Sequence, residues 1–498
     1  MAHARTPSPT VPAARAAAER SRSARRPAPR RAGLGLTTLL ATLVLAGCAG
    51  FSPDGGRDRV QALARERTGL DVRTPHDEPT RAAARERVDQ LLGSPLSAEA
   101  AAEIALLNNP ALQAAQAGLG IAEAERVRAG RLPGLTFGFS RMSGHDGLEI
   151  ERALGVNLLG LLTLPQTSRI GQQRFEQAQW QLAADTVALA AEARKAWIQA
   201  VAARQLLRQA ERVHEAADTA HTLAGRMAEA GHFSPLERLR EQAFRADASA
   251  ALTRARHQAQ ATREALVRAL GLQAQHGRLQ LPDRLPELPA RAPDEPTLEQ
   301  TALARRLDLQ AARQGAEASA RTLGLSGQTR WLDGLHAGLV RQSTADGSAR
   351  GWELEAGLPL DALAGSSTRA EAAARHAQQL QQLAALEVQA QSEAREAGSA
   401  YRAAWELARL YRDEVVPLRQ QISEQQLLLY NGMLASVFDL LADAREQAQA
   451  VSGAIEALRA HWLAAADLQL ALQGRSPGAL GAPGPATSPA AASRGDAH

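Results

Sequence analysis

The sequence predicts a mainly α-helical fold with a small β part, built as two copies of a unit in which a helix, a β-hairpin and a pair of long helices follow in order. Three observations support this reading. Aromatic residues are only 3% of the 498 while Ala, Leu, Arg, Gln and Glu dominate, which is the composition of long helices packed through small side chains. Apolar positions recur at alternating spacings of four and three over long stretches, and at a spacing of two in four short ones. Matching strings also lie about 200 residues apart, and that offset is kept from one end of the duplication to the other.

The β part rests on strict alternation. Leu335, Ala337 and Leu339 interleave with His336, Gly338 and Val340, and Trp352, Leu354, Ala356 and Leu358 interleave with Glu353, Glu355 and Gly357. The first copy gives Leu135, Phe137 and Phe139 against Thr136, Gly138 and Ser140, then a partner segment from Glu149 to Leu158 in which Arg152 falls on the apolar side. A period of two places one set on an apolar face and the other on a mostly polar face. Gly144, Asp146 and Gly147 in one copy, and Asp346 and Gly347 in the other, supply the turns of two hairpins.

The helical part rests on heptads. Leu206, Ala210, Val213, Ala217, Ala220, Ala224 and Met227 form one seam, and Tyr411, Val415, Leu418, Ile422, Gln425 and Leu429 form its counterpart. Pro417 is expected to kink or divide the second helix. The duplication itself is carried by Pro110-Ala-Leu-Gln-Ala-Ala against Leu307-Asp-Leu-Gln-Ala-Ala, by Gly231 against Gly432, and by Gly271 against Gly474.

The sequence pI near 9.9 raises nucleic-acid binding as a class, and the distribution of charge removes it. Residues 1–47 hold eight Arg and one Glu, a net +7, so of the total +4 the remainder carries about −3. Arg22, Arg25, Arg26, Arg30 and Arg31 precede an apolar run from Ala32 to Ala46, the order of a secretion signal. That run falls short of the roughly 20 residues a membrane-spanning helix needs. Leu45-Ala46-Gly47-Cys48 resembles the lipobox of bacterial lipoproteins, which implies that Cys48, the single cysteine, is lipidated and becomes the first mature residue. Ala49 follows it rather than the Asp that often signals inner-membrane retention, so the resemblance favours the outer membrane.

The resulting map assigns 1–47 to a signal peptide, 48–79 to a lipid-anchored tether and 80–281 to the first repeat. In that repeat the hairpin is expected at about 134–158 and the coiled-coil helices at about 177–272. A Pro-rich linker at 282–296 leads to a second repeat at 297–474, with its hairpin at about 333–360 and its helices at about 368–473; residues 475–498 read as a disordered tail. Four amphipathic strands cannot close a barrel, and open sheet edges are not tolerated in lipid. The chain is therefore expected to oligomerise, and three copies would supply about twelve strands.

At this point the residues resemble a family. Val88-Asp-Gln-Leu-Leu, Leu96-Ser97 and Ala105-Leu-Leu-Asn-Asn-Pro110 with Leu112 are similar to the opening helix of TolC-like outer-membrane efflux proteins, of the lipoprotein branch. Gly231, Leu236, Leu239 and Gln242 resemble the first helical tip, and Tyr430, Gly432, Ser436, Phe438, Asp439, Leu440, Leu441 and Ala444 the second. Trp462, Ala466, Leu468 and Leu472 resemble the closing helix. The resemblance covers most of residues 80–474. It implies a homotrimer with a twelve-stranded barrel in the outer membrane, four strands per chain, and an α-barrel that extends into the periplasm and tapers at the tips. It implies a periplasmic adaptor and an inner-membrane pump as partners, with Gly231, Leu236, Gly432 and Ser436 as candidate adaptor contacts. Some members close the aperture with rings of Asp just after the second tip. Asp439 falls on that pattern, but the expected second Asp is here Ala442, with Asp443 beside it. The alternative for Asp439 is a solvated helix face or a salt bridge to Arg445.

No metal-binding helix signature, phosphate loop or nucleophile elbow occurs, so neither an enzyme nor a cofactor is expected. His214 and His221, seven residues apart, read as a solvated face, and Trp180, Trp197 and Trp405 as packing residues. The competing reading is a non-conducting coiled-coil scaffold lipoprotein, which leaves the two amphipathic hairpins without a task.

Overall fold

The computed structural model describes residues 50–477, apart from 72–74, 145–146, 232–233, 274–276, 292–296, 333, 345 and 358–366. Cys48, the signal peptide and most of the C-terminal tail lie outside the described residues. Four short helices come first: α1 (Arg57–Thr68), α2 (Glu78–Leu91), α3 (Ala98–Asn108) and α4 (Pro110–Ala129). Strands β1 (Leu135–Gly144) and β2 (Gly147–Asn157) lead into the 72-residue α5 (Leu158–Glu229) and then α6 (Pro235–Leu270). The second copy follows as α7 (Leu298–Arg305), α8 (Leu307–Thr329), β3 (Gly334–Thr344), β4 (Gly347–Gly357), α9 (Ser367–Leu410), a π turn (Tyr411–Val415), α10 (Val416–Asn431) and α11 (Val437–Gln473).

The fold is thus mainly helical with a small β part, and each copy repeats the order helix pair, hairpin, long helix, returning helix. At about 1.5 Å per residue, α5 alone runs roughly 108 Å. The helix begins about 20 residues before the start expected at about 177. Gly160 and Pro165 look like breakers, yet Asn157 caps the start by accepting from the Gly160 amide at 2.8 Å, so helix and strand β2 are continuous. Pro165 sits inside the helix.

The core lies on the central third of α5, where Ala183, Ala184, Ala188, Ala190, Ala193, Val201 and Ala202 are almost wholly buried against α3, α6 and α11. Alanine permits this because its small side chain lets neighbouring helix backbones approach closely. Trp197 donates its indole N–H to the Leu96 carbonyl at 2.7 Å, so this packing residue is also hydrogen-bonded.

The segment expected as a tether contains structure of its own. Helix α1 buries Val60, Ala64 and Thr68, and Gln179 of α5 donates to the Gly56 carbonyl at 3.1 Å. The described part of the Pro-rich linker is strapped down rather than loose: Trp462 donates to Pro286 O and Trp405 to Pro289 O, both at 3.1 Å, and Leu285 and Leu288 are buried.

Corresponding helix breaks dock on the ends of returning helices. Between α3 and α4, Asn108 Nδ2 donates to Gly271 O at 2.7 Å and Asn109 Nδ2 to Ala269 O at 2.9 Å, while Asn109 Oδ1 caps α4 by accepting from the Ala111 amide. Between α7 and α8, the Leu307 and Asp308 amides donate to Gly474 O, and the fully buried Arg306 pairs with Asp308 and Glu393, each at 2.7 Å. Gly271 has φ +67°, and a Cβ there would lie 2.8 Å from Asn108 O and 2.9 Å from Asn109 Cα.

In α11, His461 is fully buried beside Tyr401 and Trp462, its ring nitrogens have no hydrogen-bond partner among the described residues, and burial holds its pKa below the ordinary value.

Two predictions follow from this packing. Gly271→Ala should lower stability by about 2 kcal/mol or more, because left-handed strain and the contact with Asn108 combine; chemical denaturation checks it. Because folding favours neutral His461, its contribution is constant above the ordinary imidazole pKa of about 6.5 and is lost as pH falls through that region. His461→Phe should therefore flatten the decline in melting temperature on acidification below about pH 6.5.

Candidate functional site

Two surfaces stand apart from the core: the sheet at one end of the long helices and the interhelical turns at the other. The four strands form one antiparallel sheet in the order β1-β2-β3-β4. β2 pairs with β3, which joins the hairpins across the two copies. Register aligns one face row by row. Leu135, Val156, Ala337 and Leu354 are lateral neighbours, and so are Phe137, Leu154, Leu339 and Trp352. These apolar residues are not covered by the chain: Phe137 is 71% exposed, Leu339 68% and Trp352 78%. The opposite face holds Thr136, Gly155, Gly338 and Glu353, then Ser140, Glu151, Gln342 and Ala349. Gln342 donates to Glu149 across that polar face.

Only β2 and β3 are paired on both sides, so β1 and β4 each carry a free edge among the described residues. No described helix is long and apolar enough to cross a membrane.

At the other end, Gly231 closes α5 with φ +78°, a left-handed conformation glycine adopts without strain. Its counterpart Gly432 has φ −78°, and the left-handed position in the second tip is instead Met433, at φ +60° and 94% exposed. Sequence alignment of the glycines located both turns but not the residue that makes the second one. The helices leaving the tips share a further device. Ser234 and Glu237 form a capping box before α6, and Ser436 and Asp439 form the same box before α11. The signal was present in the sequence as Ser-Pro-Leu-Glu and Ser-Val-Phe-Asp.

The box gives Asp439 a defined role. Its Oδ2 accepts from the Ser436 amide at 3.0 Å and the Ser436 hydroxyl at 2.7 Å, and its own amide donates back to Ser436 Oγ at 3.2 Å. These bonds hold its pKa below the usual carboxylate range. Asp443, one turn on, is 8% exposed and its Oδ2 has no partner among the described residues. Leu236 is exposed in the first turn of α6.

Arg445 is committed elsewhere: its Nη2 donates to both oxygens of the buried Glu241, at 2.7 and 2.8 Å, and its guanidinium lies 4.0 Å from the Phe244 ring. This pair ties α6 of the first copy to α11 of the second near the tips. Sequence reasoning missed Glu241, because a Glu on a helix surface gives no sign of burial by a distant copy.

The seam expected along α10 is not packed within the chain. Leu418, Ile422, Leu427, Leu428 and Leu429 are exposed, and α10 buries no residue. Ala217, Ala220 and Ala224 of the first seam are buried. Leu410, Val415 and Val416 all keep right-handed helical dihedrals, so the helix continues through the π turn at Tyr411–Val415, a local widening that ends two residues before Pro417, which has no N–H to donate.

Replacing Glu241 by Ala strands the Arg445 charge and should destabilise the fold by about 3 kcal/mol. Glu241→Ala/Arg445→Met should recover part of that loss in equilibrium unfolding.

No family model and no curated protein sequence matches the chain. Solved structures do match in fold. The outer membrane protein VceC from Vibrio cholerae superposes with a TM-score of 0.62 at 17% identity, over 78% of this chain and 97% of that one. The Campylobacter jejuni CmeC outer membrane channel gives 0.64 at 14% identity, over 86% and 94%. The open state of the Neisseria gonorrhoeae MtrE outer membrane channel gives 0.62 at 17%, over 76% and 89%. The fold of this chain is the fold of those structures.

Proposed function

We propose that this chain is the outer-membrane channel component of a tripartite efflux or type I secretion system. It would conduct substrates passively from a periplasmic adaptor and inner-membrane pump to the outside. The observation that carries the reading is the sheet: apolar and exposed on one face, polar on the other, open at both edges, and continuous with a 72-residue helix. Such a sheet satisfies its edges in lipid only by closing with further copies. Three copies of four strands would make a twelve-stranded barrel, and structures that share the fold are outer membrane channels. Lipidation at Cys48 would hold the assembly in the outer membrane, with the tips in the periplasm.

In this arrangement the exposed apolar row on α10 meets a neighbouring protomer. Gly231, Leu236, Gly432 and Ser436 lie where an adaptor would engage. Asp439 and Asp443 sit at the narrow end, three copies around one axis. The reading requires no cofactor and no catalytic residue, since energy is supplied by the pump.

The scaffold alternative has no specific support, because it leaves the sheet's apolar face in water. Conductance separates the two. The lipidated protein, purified in detergent and added to planar bilayers, should migrate as a trimer and give discrete single-channel steps. A monomer that never inserts, or an inserted trimer that stays silent in every preparation including one with adaptor bound, would sink the channel reading.

A further inference from the structure

The outward face of the sheet ends in a row that the channel reading does not use. Arg152 on β2 pairs in register with Arg341 on β3, and Arg341 with Arg350 on β4. Phe139 completes the row on β1, and Arg141 lies in the next row toward the hairpin turns. All four arginines are exposed, and none has an ion pair or hydrogen bond to a described side chain. They share a face with Phe137, Leu154, Leu339 and Trp352, which lie two residues nearer the helices, about 7 Å along the strands.

This placement is energetically unusual. Adjacent strands are about 4.8 Å apart, so three guanidinium-bearing side chains stand side by side, and like charges directly opposite are destabilising. The carboxylates of this sheet, Glu149, Glu151, Glu353 and Glu355, alternate onto the opposite face and offer no neutralisation. Among the described strand residues this face therefore holds no counter-charge, and a ligand from outside the chain can supply it. Its level is set by the aromatic row beneath: Trp and Phe on an apolar band mark the edge of the hydrocarbon, so the arginines stand at headgroup depth. Arginine forks match phosphate oxygens in bidentate geometry.

From this row we infer that the sheet carries a binding site for phosphorylated lipid headgroups of the leaflet that meets the hairpin ends, with Arg152, Arg341 and Arg350 as phosphate ligands and Phe137, Leu339 and Trp352 against the acyl chains. The inference rests on the reading of the sheet as a barrel sector in lipid. The site would fix the depth of the barrel and neutralise its arginine row.

The test uses the full chain reconstituted in phosphatidylcholine vesicles containing either lipid A or dephosphorylated lipid A, re-extracted in mild detergent. Retained lipid is measured by mass spectrometry. The unaltered protein should retain on the order of tenfold more lipid A than the Arg152→Gln/Arg341→Gln/Arg350→Gln variant, since each cation at a lipid surface strengthens attachment severalfold. Dephosphorylated lipid should be retained weakly and equally by both. Arg341→Gln alone should give an intermediate loss, which keeps the test valid if the triple variant misfolds. Equal retention of lipid A by a conducting protein and its conducting variants would overturn the site while leaving the channel intact. Failure of the unaltered protein to insert or conduct would instead remove both readings.

Discussion

The unpaired edges of the four-stranded sheet are the constraint on which the rest of the structure depends. β1 and β4 each present a line of backbone N–H and C=O groups with no strand partner among the described residues, and the rows of one face nearest the helices are apolar and uncovered. Neither condition is stable for an isolated sheet in water, and in lipid the free edges would be more costly still. Neighbouring copies relieve both at once, pairing the edges and turning the apolar face to the bilayer. The same requirement explains α10. Its leucines find no core because the chain as a single unit lacks the surface they are shaped for.

Long helices attached to such a sheet must be held in register with it, and the two copies solve this with corresponding joints. A helix pair is broken once, and the break docks on the end of the helix that returns from the tip. The first copy uses Asn108 and Asn109 on the end of α6, with Gly271 allowing the close approach. The second uses the amides of Leu307 and Asp308 on Gly474 and buries Arg306 between two carboxylates. The chemistry differs and the geometry is retained, as expected when a duplicated unit is constrained by where its elements meet rather than by which groups make the contact.

Much of this was legible in the sequence, for physical reasons that differ by element. The strands were visible because each keeps one apolar face, and a period of two cannot be mistaken for a helix over ten residues. The seam at Ala217, Ala220 and Ala224 was visible because its partner is α6, local in sequence. The early start of α5 was hidden, since Gly160 and Pro165 argue locally against a helix that tertiary context and the Asn157 cap impose. The structured part of 48–79 was hidden by its polarity: α1 buries only Val60, Ala64 and Thr68, too few to register as a periodic pattern. At the tips, Ser436 and Asp439 stand out in the sequence as candidates, and the capping bonds that order them are encoded in the Ser-Val-Phe-Asp string. Glu241 and Arg445 belong to different copies, and no single-sequence pattern links them.

The tips show where the duplication has diverged. The first turns on Gly231, which takes positive φ without strain. The second places that conformation on Met433, although Gly432 is adjacent and a shift of one residue would relieve it. A left-handed non-glycine residue costs roughly 1–2 kcal/mol, and such strain persists where the surroundings fix the backbone or the side chain has a use. Packing does not supply the reason, because Met433 and Leu434 are almost fully exposed. The backbone here is set by the Ser436–Asp439 cap three residues on, which fixes where α11 begins, and by the Met433 amide donating to Tyr430 O and the Leu434 amide to Leu429 O, which close α10. Between these two fixed ends the turn projects Met433 and Leu434, both apolar, into solvent. On the channel reading, the second tip of a protomer therefore offers an adaptor an apolar turn, set on a backbone that the cap and the end of α10 hold in place.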